Sequence, residues 1–379
     1  MSTILIKNGT LIDGSGSKRY LADILIENEK IKKIGKLDLT ADKVIDASGK
    51  IVSPGFIDTH SHSDLKVLIE PFVEPKIRQG ITTEILGQDG ISMAPLPEEY
   101  VSSWRKNLAG LDGDSDELKW DWKNTDGYLN LISKTGSGPN ELYLVPHGNI
   151  RMEAMGLEAR VATKKELEKM KEITRREMEA GVAGLSTGLI YIPCAYAETE
   201  ELIEICKVAA EYGRPLVIHQ RSEADTMLES MQEVIRIAKE SGVKIHFSHF
   251  KICGQKNWKL IEPVIALLDK CKEEGINVSY DQYPYVAGST MLGVILPPWA
   301  HAGGTDKLIE RLKDKSLREK MKKDIIEGIP GWDNFIDFAG FDGIYVTSVK
   351  TDKNQDCIGK NLTEIAELRG KEKFDAVFD

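Results

Sequence analysis

The seven histidines of this 379-residue chain are the residues best suited to chemistry, and their placement is not scattered. His60 and His62 stand two apart in PGFIDTHSHSD, at the end of an apolar run. Residues i and i+2 of a strand point to the same side, so both imidazoles can reach one metal ion. The next apolar run ends in EILGQDG, with Asp89 where it stops; taken alone, an aspartate before glycine is turn chemistry. ELYLVPHGN ends at His147, and PLVIHQRSE at His219, with Arg221 and Glu223 following. KIHFSHFK carries His246 and His249, and NVSYDQYPY ends in Asp281, Tyr283 and Tyr285. His246 and His249 are three apart, so strand parity lets only one of them face inward; His246 and His301 are read as structural or incidental.

Five of the seven histidines (His60, His62, His147, His219, His249) thus fall at the C-terminal ends of predicted strands. Independent surface histidines would not distribute this way. The pattern points to a metal centre with imidazole and carboxylate ligands, on the face where barrel enzymes place their sites. Such donors suit zinc with an open position for water, although iron, manganese and cobalt accept the same set. A catalytic zinc makes bound water more acidic and polarises a carbonyl, the two actions that hydrolysis of an amide or related C–N bond requires.

The elements that must position these residues follow from periodicity. The first ~50 residues alternate apolar and polar in short runs, ILIKNGTLID, ADILIENEKIKKIG and KVIDASGKIV, which predict strands joined by turns. A small β unit over residues 1–52 is expected, part of a β-sandwich. Beyond Pro54 and Gly55 the pattern turns to strand and helix in alternation, with strands predicted at Gly55–Thr59, Thr82–Gly87, Glu141–Pro146, Val182–Thr187, Pro215–His219, Lys244–His249 and Asn277–Asp281. Between them Leu202, Ile205, Cys206 and Ala209 form a helical stripe with Thr199 as its expected N-cap. Two further stripes close at Gly242 and Gly275. The later strands recur at about the length of a βα unit, and seven such units approach the eight of a (β/α)₈ TIM-type barrel. The expected fold is therefore α/β, a barrel over residues 53–379 that lacks its eighth strand and carries an insertion at about 286–345.

Composition narrows the partners. With 50 basic against 60 acidic residues the net charge is −10, which argues against nucleic acid or an anionic membrane surface. No run approaches the ~18 apolar residues of a membrane span, and the start has no secretory pattern. The five cysteines are odd in number and never spaced Cys-x-x-Cys, so a reduced, cytoplasmic protein is the simplest reading. A small molecule is the expected partner, and oligomeric state is not readable from the pattern.

With these residues in view, the chain resembles the N-acyl-D-amino-acid deacylases, the D-aminoacylase branch of the amidohydrolase superfamily. The resemblance runs in order through PGFIDTHSHSD, QGITTEILGQDGISMAP, VPHGNIR, GVAGLSTGLIYIP, HQRSE, FSHFK and DQYPYVAGST, and more weakly through GKNLTEIAELRG and KFDAVFD. It implies a (β/α)₈ barrel with a small β-sandwich. It also implies that His219 and His249 hold the tightly bound zinc and that His60 and His62 serve a second, weaker position. Lys251, Tyr283 and Ser289 fall in motifs expected to hold a substrate carboxylate, with His147 lining the same pocket. Lys251 follows His249 by two, so it shares that face and offers a cation beside the metal.

Two departures stand out. Position 89 is aspartate where the family usually carries a zinc-ligating cysteine; Asp89 is expected to ligate still, bridging two ions. The family's general acid/base, an aspartate ending the eighth strand, has no counterpart before Asp379, so the catalytic residue is unassigned and the chain reads as a fragment or as naturally shortened. The implied reaction is hydrolysis of an N-acyl-D-amino acid to a D-amino acid and a carboxylate. One alternative is a cyclic-amide hydrolase of the dihydroorotase or hydantoinase sort, which usually bridges its metals with a carboxylated lysine that no strand end here supplies. The other is a truncated, non-catalytic metal-binding barrel.

Overall fold

The computed structural model describes residues 2–379, in which the chain forms two compact units. The first runs to Ile57 and takes in Arg78–Thr82; the second holds Asp58–Ile77 and everything from Thr83 onward.

In the first unit the predicted runs become five strands, because two of them are broken by turns. β1 (Thr3–Leu11), β2 (Tyr20–Glu27) and β3 (Lys30–Gly35) pair antiparallel, while β4 (Lys43–Asp46) and β5 (Ile51–Val52) both pair parallel with β1. Asn28, left-handed at φ 57°, turns the chain from β2 to β3 inside what reads in sequence as one run. A register shift between Ile6 and Gly9 is pinned by Asp23, which accepts the Asn8 N–H at 2.8 Å and the Leu37 N–H at 2.9 Å. Leu11, Ala22 and Ile24 form this unit's small apolar core.

A second sheet has seven strands in which sequence neighbours are spatial neighbours, running β6 (Phe56–Asp58), β7 (Ile81–Leu86), β8 (Asn140–Pro146), β9 (Gly184–Gly188), β10 (Leu216–His219), β11 (Ile245–Phe247), β12 (Val278–Tyr280). The pairs from β7 to β12 are parallel, with helices in the connections. All seven predicted strands are present, several shorter than expected. Flat, the edge strands would lie roughly 29 Å apart, six spacings of ~4.8 Å. Instead His60 Nδ1, just past β6, is 3.8 Å from Asp281 Oδ2, just past β12. The sheet is therefore curled until the C-terminal ends of its two edges meet. Among the described residues β12 is its last strand.

The covering helices read as predicted, with one correction. Helix Met227–Ser241 ends at left-handed Gly242, and helix Ile261–Glu273 is followed by Gly275 at φ 71°. Helix Thr199–Glu211, however, is preceded by Glu198 as N-cap without a side-chain cap, because the Thr199 hydroxyl donates to Glu233 at 2.9 Å instead. Leu202, Ile205, Cys206, Met231, Val234 and Ile237 are buried against strand residues such as Leu185, Ile218 and Phe247.

After β12 the chain turns helical around a separate apolar cluster of Leu308, Met321, Ile325, Leu362, Ile365, Phe374 and Phe378. This cluster draws on residues from Ile295 to Phe378.

One glycine matters for everything that follows. Gly87, at the end of β7, has φ 80°, and a Cβ there would sit 2.1 Å from the Leu144 carbonyl oxygen. Substituting Gly87→Ala therefore combines left-handed strain, about 1–3 kcal/mol by itself, with a backbone clash. Urea unfolding is expected to show a loss of at least that size; an unchanged midpoint would mean that β7 and β8 have room to part.

Candidate metal centre

β7 delivers Asp89 by a tight turn. Asp89 has φ 56° and ψ 19°, a left-handed conformation that aspartate tolerates better than most residues. Its backbone lies so close to β9 that a Cβ on Gly188 would be 2.3 Å from the Asp89 carbonyl oxygen. Held this way, the carboxylate is buried and its two oxygens face different partners. Oδ2 lies 3.7 Å from His60 Nε2 and 3.4 Å from His62 Nε2, while Oδ1 lies 3.7 Å from His249 Nε2. His249 in turn is 2.8 Å from His219, Nε2 to Nδ1. Donor atoms of His60, His62 and Asp89 fall within 4.8 Å of one another, and so do those of Asp89, His219 and His249.

The fit to a metal rests on these distances and on unmet bonding capacity. Tetrahedral zinc with ligand bonds of ~2.0–2.2 Å sets its donors roughly 3.3–3.5 Å apart, close to the Asp89–histidine separations. His60 Nδ1, Asp89 Oδ1 and His219 Nε2 are buried without a hydrogen-bond partner, which a soluble fold rarely leaves uncompensated. Burial opposes charge on these groups, yet Asp89 raises His60 and, with Asp112, holds His62 at about 10, while the histidines hold Asp89 well below the usual carboxylate range. Burial, helped by the nearby charges of His249 and Lys251, lowers His219 to about 3, leaving a neutral imidazole of the form that ligates. The residues fit one or two divalent ions sharing Asp89.

The five proposed ligands, His60, His62, Asp89, His219 and His249, are thus brought together. Lys251 joins them: its Nζ is 2.7 Å from Glu223 Oε2, 3.0 Å from His249 Nδ1 and 5.5 Å from the Tyr283 ring centre. Ser289 is exposed on the irregular stretch after β12 and, among the described residues, makes no hydrogen bond.

His147 is placed elsewhere. It opens the helix that follows β8, is fully buried, and bonds Thr187 Oγ1 at 2.9 Å and Glu201 Oε1 at 2.8 Å, with Arg151 closing on the other Glu201 oxygen. It does not line the open site with Lys251; it belongs to a buried ion-pair network behind the Asp89 turn. Cys194, in the same layer, donates to the Gly90 carbonyl at 3.5 Å. β11 ends at Phe247 and His249 has φ 36°, so strand parity no longer relates the two histidines. Both engage Asp281, His246 through Nε2 at 2.8 Å and His249 through its backbone N–H at 2.6 Å. His301 bonds the Gly293 carbonyl, as a structural histidine would.

Several participants carry little sequence signal. Glu223 anchors both Lys251 and His249, and its own backbone N–H is held at 2.8 Å by Asp333, 110 residues away. Asp64 shares the parity of His60 and His62, a usable clue; Asp112 lies in a loop with none.

Donors so arranged at one end of a curled parallel sheet mark a candidate metal-binding α/β protein. Residues 43–270 match the model of the amidohydrolase family, and the chain belongs to that family, within its D-aminoacylase branch. It is 36% identical over 290 residues to a D-aminoacylase of Alcaligenes xylosoxydans xylosoxydans, a match covering 76% of this chain and 58% of the relative. The crystal structure of N-acyl-D-glutamate deacylase from Bordetella bronchiseptica, complexed with zinc and a phosphonate mimic of the tetrahedral intermediate, aligns with 99% of this chain at TM-score 0.80 and 31% identity, covering 69% of that chain. A D-aminoacylase structure described for its binuclear metal centre aligns with 99% of this chain and 69% of its own at TM-score 0.78 and 30% identity. The chain therefore spans a little under 60% of the length of the curated relative it matches.

The His147 network makes a pH-dependent prediction. Burial works against protonation, but Cys194 and Glu201 raise His147 to about 9, above its ordinary 6.5. Its ionic contribution is then full below pH ~6.5 and lost as pH rises through about 9. Replacing His147 by Ala is expected to cost about 3–5 kcal/mol at pH 6, and clearly less at pH 9.5, by urea unfolding at the two values. An equal cost at both would show that the pair is not ionic.

Proposed function

We propose that the complete protein hydrolyses N-acyl-D-amino acids to a D-amino acid and a carboxylate, at a centre of one or two zinc or similar divalent ions. The observation that carries this reading is the division of Asp89: one oxygen faces His60 and His62, the other faces His249, and Lys251 stands beside the second set. His219, His249 and Asp89 would hold one ion, and His60, His62 and Asp89 the other. A bound divalent ion supplies Lewis acidity toward the amide carbonyl and makes water more acidic.

The chain's own residues do the rest. Lys251 pairs with the substrate carboxylate, and Tyr283 packs its ring against the ammonium. Without substrate, Glu223 takes the Lys251 charge at 2.7 Å, so a substrate carboxylate exchanges with an anion already in place. Ser289, on the exposed stretch after β12, would add a hydroxyl donor to that carboxylate. Asp281 accepts from the His249 backbone N–H and the His246 ring and faces His60, holding the backbone that carries His249 beside the first histidine pair.

The seven-stranded sheet is, in this reading, seven strands of a (β/α)₈ barrel, and the proton shuttle belongs to the eighth. The small first unit is part of a β-sandwich. The five cysteines are all free, four of them buried, which favours a reducing cytoplasm.

Purified full-length protein is expected to release D-amino acids from N-acetyl-D substrates; failure to cleave an N-acyl amino acid of either hand would defeat the assignment. Asp89→Ala should lose bound metal and at least ~100-fold in turnover, whereas unchanged metal content would remove Asp89 from the ligand set. Lys251→Met should retain metal and raise KM about tenfold or more, the value of one charge-assisted contact.

A further inference from the structure

His62 has a carboxylate at each end. Its Nε2 is 3.4 Å from Asp89 Oδ2, and its Nδ1 is 3.4 Å from Asp112 Oδ1. Asp112 comes from the loop after helix Val101–Leu108, its backbone N–H bonded to the Leu108 carbonyl at 2.9 Å. Its side chain is fully buried, and neither carboxylate oxygen has a hydrogen-bond partner. Asp64 stands in the same place, its Oδ1 taken by the Gly87 N–H at 2.8 Å and by the Ser92 hydroxyl. Donor atoms of His62, Asp64 and Asp112 all lie within 4.8 Å of one another.

Two buried carboxylates beside each other, one of them unbonded, are costly to keep. Packing alone would favour asparagine or leucine at position 112. A carboxyl group kept there against that cost points to a task.

An imidazole that gives Nε2 to an ion carries its proton on Nδ1, and that N–H needs an acceptor. Asp112 Oδ1 is placed to be that acceptor. The same pattern recurs on the neighbouring histidine, where Asp281 Oδ2 lies 3.8 Å from His60 Nδ1. We infer that Asp112 is a positioning residue for the second metal site: it fixes the tautomer and orientation of His62, so that Nε2 faces the ion shared with Asp89. The inference rests on the reading of His62 as a ligand. Asp64, tied to Gly87 and Ser92, holds the surrounding turn rather than the imidazole.

The test is cobalt(II) titration of the metal-free full-length protein, followed by absorption and by bound-metal analysis, for the wild type and for Asp112→Asn and Asp112→Leu. The wild type should take up two ions of unequal affinity; uptake of only one would overturn the two-site reading and this inference with it. With two ions in the wild type, both variants should keep the tighter ion at wild-type affinity and bind the second ~10–100-fold more weakly. Their metal-free forms should still fold, with lowered melting temperatures, because the buried His62–Asp112 pair is broken. Wild-type affinity for the second ion would overturn the inference while leaving the metal assignment intact. Equal weakening of both sites, or metal-free variants that fail to fold, would show that Asp112 is merely structural and overturn it too.

Discussion

The centre of this molecule depends on where one carboxylate is put. Asp89 is buried, in left-handed backbone, with its oxygens turned toward two different groups of histidines. A carboxylate can serve two cations in this way because its lone pairs diverge from a common carbon. It can do so here only because the turn that carries it is pressed between neighbouring strands. Gly87 lets β7 end against the Leu144 carbonyl, and Gly188 lets β9 approach the Asp89 carbonyl, each contact closer than any side chain permits. The buried His147–Glu201–Arg151 network fills the layer behind.

Around that turn the charge balance is close. Asp89, Glu223, Asp281 and Asp112 face four imidazoles and one lysine. The acids cannot all be satisfied by hydrogen bonds, and several donor atoms are left without partners. A protein built only for stability would avoid this arrangement; one built to bind cations gains affinity from it. Stability is recovered elsewhere, in the apolar layer between sheet and helices and in the separate cluster formed by residues after Ile295.

Much of this was legible in the sequence because it is local. Each of the seven sheet strands is a short apolar run, and a residue at the end of such a run lies at the end of a strand. His60 and His62 share a face by parity, and the helices announce themselves by their stripes and terminal glycines. Parity lost its force where the strand ended: β11 stops at Phe247, and His249 beyond it is left-handed. The buried placement of His147 has another cause. A strand-end position does not say whether the next turn of helix tucks the side chain under the sheet or leaves it at the open end.

The sequence by itself determined the order of strands, the set of histidines at their ends and the family to which they belong, since each is written in residues within a few positions of one another. The tertiary structure alone decided that the first and last strands meet at His60 and Asp281, that Asp89 divides its oxygens between two donor sets, and that Asp112 and Asp333 reach His62 and Glu223 from loops 50 and 110 residues away. Those contacts depend on how far the sheet curls and on where the loops land. Curl is the sum of small twists over seven strands and loop placement is set by packing, so neither is carried by a local pattern.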